Sequence, residues 1–156
     1  MVADEHARLE RAVDTHKASV YRTAYNYTLS RMDAEDIMQD VFIRYLKRAP
    51  VFQSDEHEKA WLLRVTINLC KSFRRSAWLR KKVSLVSEDT AVDDHNPVLD
   101  SISQLKPMYR TAVYMYYYES YSVGEIAKII GASETAIQTR LHRARQALRG
   151  ILEDES

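Results

Sequence analysis

The chain has 156 residues, 46% hydrophobic and 29% charged, with 3 Gly, 3 Pro and a formal net charge of +1. That length supports one modest core or two small ones. It is too short for a TIM barrel, which needs about 250 residues, and so few glycines exclude glycine-rich phosphate loops and flexible linker tracts.

The first predicted helix runs from Glu5 to Thr28, with Tyr21, Tyr25 and Leu29 on one side. Asp33 is expected to cap the next, with Asp36 three residues on as a weak reciprocal cap. Ile37, Met38, Val41, Phe42, Tyr45 and Leu46 then form one apolar stripe, and Pro50 ends the run. A further helix is predicted from about Glu56 to Arg75, carrying Trp61, Leu62, Val65, Leu69 and Phe73, with a shorter basic extension around Trp78. Trp61 and Phe73 read as core or half-buried supports. The stretch 84–97 is rich in Asp, Ser and Thr, loses periodicity, and reads as a linker.

Beyond it, Pro107 suits the first turn of a helix reaching about Glu119. That segment is rich in tyrosine: Tyr114, Tyr116, Tyr117, Tyr118 and Tyr121 either pack a small core or form a contact surface. Ser122 and Glu125 have capping-box spacing at the head of a short helix, and Gly131 suits its C-terminal stop. Ser133 caps the last helix, whose Ile137, Leu141, Ala144 and Leu148 face inward. This is helix-turn-helix spacing. On the other face, Thr135, Gln138, Thr139, His142, Arg143 and Gln146 offer donors and acceptors suited to base edges and phosphates.

Charge has the same organisation. From Lys59 to Ser87 there are eight Lys or Arg and no Asp or Glu, whereas Glu88, Asp89, Asp93, Asp94 and Asp100 come next with no Lys or Arg among them. The last helix turns basic again, with Arg140, Arg143, Arg145 and Arg149 against Glu134. A near-zero sum thus conceals two basic blocks around an acidic one, a pattern that speaks to partners and not to fold.

Catalysis has no visible constellation. The histidines at 6, 16, 57, 95 and 142 are scattered. The single cysteine, Cys70, excludes an intrachain disulfide and a thiolate zinc cluster. It reads as a half-buried filler, with oxidation sensing as the alternative. No cofactor is expected. The longest apolar or aromatic run, Ala112 to Tyr118, is far short of the roughly 20 residues that cross a bilayer. The acidic start predicts no signal peptide. A cytoplasmic, non-enzymatic protein is therefore expected.

Four stretches, in this order, resemble the sigma-70 superfamily of bacterial sigma factors, in the small extracytoplasmic-function (ECF, group 4) class. They are Asp33 to Leu46, Ala60 to Leu69, Tyr121 to Ala127 and Gly131 to Arg145. The resemblance covers roughly residues 15–152 apart from the linker. It implies an all-α chain of two small helical domains, region 2 over 1–83 and region 4 over 98–156, joined by the acidic linker 84–97. It further implies that Asp36, Gln39, Asp40 and Arg44 dock on the clamp helices of the largest polymerase subunit, while the C-terminal domain meets the flap region of the second-largest.

By the same resemblance, Asn68, Lys71, Ser72, Arg74 and Arg75 capture melted −10 DNA, with Asn68 and Ser72 in a short specificity loop. Ser133, Thr135, Gln138, Thr139, His142 and Arg143 read the −35 duplex. An anti-sigma factor is implied as inhibitor. The chain departs from the family at Ser72, often Asn or Asp, and at Gln138, often Lys or Arg. Leu105-Lys106-Pro107 also displaces the usual Leu-Pro by one residue. From the residues alone, a plain helix-turn-helix regulator acting beside a resident sigma factor, or a helical module that binds no DNA, remains the alternative.

Overall fold

The computed structural model describes residues 2–81 and 101–154, with side chains over 3–73 and 101–151. All regular structure in them is helical. The chain divides into two compact units, one within the first 87 residues and one in the remainder. The linker expected at 84–97 lies outside the described residues, as does the side chain of Trp78.

Unit 1 holds α1 (Val2–Thr28), α2 (Arg31–Arg48) and α3 (Asp55–Lys81), each packed on the other two. Leu29, at φ +56, turns the chain between α1 and α2. Ser30, not Asp33, is the N-cap of α2: the Asp33 amide donates to its Oγ at 3.2 Å. Asp33 sits within the first turn of α2, where its carboxylate favours the positive helix end. The cap lies three residues earlier than expected because the periodic pattern begins at buried Ala34, and a bulky Met32 masks that start.

The core of unit 1 is narrower than the apolar pattern predicts. From α1 come Ala12, His16, Val20, Thr23 and Ala24, while Tyr21 and Tyr25 are half-buried and stacked at 6.1 Å between ring centroids. From α2 come Ala34, Ile37, Val41, Phe42 and Tyr45. Leu46, expected in that stripe, is exposed. From α3 come Leu62, Leu63, Thr66, Ile67 and Cys70. Val65, Leu69 and Phe73 lie at the margin, half-buried. Small alanines bring the helices close, and the buried hydroxyls of Thr23 and Thr66 donate to carbonyls one turn back, at 2.7 Å each.

Polar atoms tie the three helices together. Glu58 of α3 accepts from the Tyr45 hydroxyl at 2.9 Å and meets His16 Nε2 at 3.0 Å. Tyr45, Phe52 and Trp61 cluster with centroids 5.8–6.3 Å apart. The Arg8 guanidinium lies over the Tyr45 and Phe52 rings and donates to the Pro50 carbonyl. Trp61 is accordingly a half-buried support, as expected.

Cys70 is fully buried rather than half-buried, and burial pushes its thiol pKa up to about 12. Reactive cysteines need a stabilised thiolate, so the sensing alternative loses its chemistry. Alkylation of Cys70 at mildly alkaline pH is expected to be at least about a thousandfold slower in the folded chain than in denaturant, the three-unit rise alone cutting the thiolate fraction that much. Mass spectrometry of the two time courses checks this, and comparable rates would place the thiol at the surface. Because the folded pKa is raised, the associated stability is intact below about pH 9 and lost as pH climbs towards 12.

The described part of unit 2 has a helical stretch over 101–103, α4 (Pro107–Val113), a π-helical turn (Tyr114–Tyr118), α5 (Val123–Ile130) and α6 (Glu134–Asp154). Pro107 occupies the first turn of α4, as expected. Arg110 is buried and donates to the carbonyls of Leu105 and Ser103, closing the segment before α4. Its burial is invisible in the sequence, where an arginine reads as surface. Leu105, Met115, Ile126, Ile129, Ile130, Ile137, Leu141 and Ala144 fill the core.

The expected continuous helix to Glu119 is interrupted. The Glu119 amide bonds the Tyr114 carbonyl at 3.1 Å, an i to i+5 closure, and the Tyr121 amide reaches Met115 at 3.0 Å. The tyrosines split accordingly. Tyr114 is buried, its hydroxyl 2.6 Å from Glu119 Oε1, whereas Tyr116, Tyr117 and Tyr118 are exposed.

Candidate nucleic-acid interface

The polar face of α6 is set by the helix and turn before it. Both halves of the Ser122–Glu125 capping box form, with bonds of 3.0 and 3.1 Å. The Ser122 amide, which donates to the Glu125 carboxylate, and then the Ser122 hydroxyl hold that carboxyl below the usual carboxylate range. Gly131 closes α5 in the left-handed region at φ +80, where a Cβ is strained, and its amide bonds the Ala127 carbonyl at 2.9 Å. Ser133 Oγ accepts from the Ala136 amide at 3.1 Å, opening α6 two residues after the glycine turn. Glu134 reaches back to the first turn of α5, so close that a Cβ at Gly124 would stand 2.9 Å from its Oε1.

These caps fix the rotation of α6. Ile137, Leu141 and Ala144 are buried on one side. Ser133, Thr135, Gln138, Thr139, His142 and Arg143 are all exposed. The 3.6-residue period places the last five on the side opposite the core. Ser133 belongs to the helix start and its hydroxyl serves the cap. Leu148, expected inward, is half-buried at the end of the stripe.

The second group lies on α3. Asn68, Lys71 and Ser72 are exposed at spacings of three and one, on one helical face. Arg74 and Arg75 continue the helix, and their side chains lie outside the described ones. The backbone here is helical through Lys81, so Asn68 and Ser72 stand on a helix and not in the expected loop. The segment Asp55–Lys81 contains neither Gly nor Pro, and nothing in it breaks the ladder.

The third group lies on α2. Asp36, Gln39, Asp40 and Arg44 are all exposed along its outer face. Sequence reading missed their apolar company: Met32, Ile43 and Leu46 are 66%, 49% and 41% exposed, large hydrophobic surfaces that a solitary domain would bury. With Gln39 they fall at 32, 39, 43 and 46, a line along one side of α2. The signal was available as a second apolar stripe offset from the core stripe.

Comparison with known proteins decides what these faces belong to. Residues 12–80 match the family Sigma-70 region 2, and residues 95–148 match Sigma-70, region 4. The ECF RNA polymerase sigma factor SigL of Mycobacterium tuberculosis is 30% identical over 164 residues, covering 97% of this chain and 93% of that protein.

The chain belongs to the sigma-70 family, in its ECF class.

RNA polymerase sigma factor SigV of Bacillus subtilis is 26% identical, with 92% of this chain and 90% of that one covered. In fold, the chain is similar to the sigma factor RpoE solved with the anti-sigma factor NepR from Bartonella quintana, at TM-score 0.74 and 19% identity over 96% of this chain and 97% of that one. It is likewise similar to CnrH solved with the cytosolic domain of CnrY, at TM-score 0.70 and 23% identity over 97% and 91%. Sigma factors are non-catalytic transcription regulators that act with core polymerase in promoter recognition. No helix among the described residues is long and apolar enough to cross a membrane.

Within this sigma factor, α2 and all but the last residue of α3 lie in the region 2 match, while α5 and α6 as far as residue 148 lie in the region 4 match. Each expected residue group therefore falls on the matching region.

Proposed function

We propose that this sigma factor joins core polymerase through the outer face of α2 and reads promoter DNA with α3 and α6 as one cytoplasmic initiation factor. The observation that carries the proposal is the capped α6, whose exposed Thr135, Gln138, Thr139, His142 and Arg143 stand opposite a buried Ile137–Leu141–Ala144 stripe. A helix held in this way presents donors and acceptors to the major groove as a helix-turn-helix reader does. Gln138 suits adenine and Arg143 suits guanine or phosphate.

On region 2, Asp36, Gln39, Asp40 and Arg44 flank the apolar line of Met32, Ile43 and Leu46, the mixture that a protein-docking face requires. A regulator that works beside a resident sigma factor has no use for that face on the polymerase clamp, and this supports the sigma reading over the alternative. The C-terminal unit would meet the polymerase flap. Asn68, Lys71 and Ser72, with Arg74 and Arg75, supply polar groups and charge for an unstacked −10 strand. Strand opening costs about 1.4 kcal/mol per stacked step, which contacts made only in the polymerase complex must offset. The domains at 1–83 and 98–156 would divide these two tasks across the linker 84–97. The solved complexes of RpoE and CnrH support an anti-sigma partner for this chain as well.

Core polymerase reconstituted with this chain is expected to initiate at a restricted set of promoters sharing −35 and −10 elements. Sequencing transcripts from a genomic library in vitro checks this. Duplex binding by the free chain with no polymerase-dependent initiation would favour the plain regulator instead.

A further inference from the structure

We propose that Tyr117 is a positioning residue that holds the Arg145 guanidinium as a contact to the phosphate backbone of promoter DNA, beside the groove-facing surface of α6. The inference rests on the DNA-reading role proposed for that helix.

Arg145 is exposed, yet it is fixed. Its Nε donates to the Tyr117 hydroxyl at 2.7 Å. Its guanidinium carbon stands 5.8 Å from the Tyr116 ring centroid and 5.7 Å from that of Tyr117. The two rings meet edge to face, 4.9 Å apart at 78°. An exposed arginine ordinarily keeps its rotamer freedom, and ordering it costs entropy. Here a hydroxyl and two ring faces hold it, and none of these carries a formal charge. Among the described residues no carboxylate pairs with the cation, and the Nε bond engages one of its five N–H donors.

Its place on α6 says what the charge faces. Gln138, His142, Arg145 and Arg149 are spaced by four, three and four residues, one stripe of a 3.6-residue helix. The stripe begins at the proposed base readers and passes to arginines as the helix runs towards its C-terminus. A recognition helix contacts base edges with its N-terminal part, so the later residues meet the flanking backbone. A planar guanidinium matches a phosphate with paired N–H donors. Continuity with the α6 face therefore selects DNA phosphate as the occupant, and the π-helical turn that exposes Tyr116 and Tyr117 supplies the holder.

The test uses the full chain bound to core polymerase and a fluorescent duplex carrying its −35 element, titrated across salt concentrations. Tyr117→Phe keeps the ring and is expected to weaken binding about 3- to 10-fold, the ordinary net value of one hydrogen bond between exposed side chains. Arg145→Gln is expected to flatten the log–log salt dependence by about 0.9, the loss of one phosphate contact. In the Arg145→Gln background, Tyr117→Phe should cause no further loss, which a merely structural role would not produce. Unchanged affinity in Tyr117→Phe, or an equal loss with and without Arg145, overturns the inference and leaves the DNA-reading role standing. If the wild-type complex itself shows no preference for the −35 duplex, both fall.

Discussion

Replacing Arg143 with alanine is expected to weaken recognition of the −35 duplex by about 10- to 100-fold, with the loss concentrated at one base pair. A bidentate arginine contact to guanine is worth about 1–3 kcal/mol against the wrong base. Arg143 is exposed on α6, one residue beyond His142 and four beyond Thr139, and its side chain lies away from the buried Ile137–Leu141–Ala144 stripe. Its removal leaves the core intact, so the folded fraction should not change. Competition by duplexes substituted one pair at a time provides the measurement. A base reader loses discrimination at its own pair and keeps it elsewhere. A phosphate contact instead weakens every duplex alike and flattens the salt dependence by about one unit. Wild-type affinity in the variant would remove Arg143 from the interface altogether. Gln138→Ala is the natural companion, since glutamine pairs with adenine and its loss should fall on a different base pair.

Glu58→Ala should cost unit 1 about 2–4 kcal/mol, because one truncation breaks contacts to two other helices. Glu58 stands on α3, His16 on α1 and Tyr45 on α2, at 3.0 and 2.9 Å from its two carboxylate oxygens. The His16 side chain is 5% exposed and that of Glu58 17%, so water does not readily replace either bond. Alanine would leave the Tyr45 hydroxyl and the His16 ring nitrogen without this acceptor in a closed setting. For a unit of this size, each kcal/mol moves the melting temperature by about 4–8 °C. Calorimetry of Glu58→Ala, Tyr45→Phe and the double variant separates the terms. Tyr45→Phe alone should cost about 1 kcal/mol, and the double variant should cost less than the sum. Strict additivity would show that the carboxylate does not link the helices. Burial and the bond to Glu58 both raise the Tyr45 hydroxyl pKa, so it stays a donor throughout the neutral range.

Much of unit 2 was legible because its punctuation is strong. Ser122, Glu125, Gly131 and Ser133 each have one preferred place at a helix end, and all four occupy it. With those ends set, the period of α6 places its buried stripe and the proposed base-reading face. Unit 1 was harder. Its core stripe on α1 is made of Ala12, His16, Val20, Thr23 and Ala24, residues too small or too polar to stand out in a hydropathy pattern. On α3, Leu62, Leu63, Thr66, Ile67 and Cys70 took the core while Leu69 and Phe73 went to its edge. A run with apolar residues on several sides does not say which side its neighbours cover. Arg110 shows the same limit, since its burial depends on carbonyl positions that only the folded chain supplies. Asn68 keeps the residue type of the family motif and Ser72 departs from it, and both stand on an unbroken helix, which spacing alone does not distinguish from a loop.

The π-helical turn has a consequence for how this surface can change over generations. An i to i+5 closure accommodates one residue more than an α-helical one, so Tyr114–Tyr118 behaves as an α-helix carrying an insertion. Removal of a single codon there would restore α-helical phase and rotate the rest of the turn by about 100°. Tyr114 and Met115 precede the change and would keep their buried places, while the exposed rings would leave Arg145. A one-residue deletion in this turn would therefore remove the whole clasp, rings and hydroxyl together, where Tyr117→Phe removes its hydrogen bond alone.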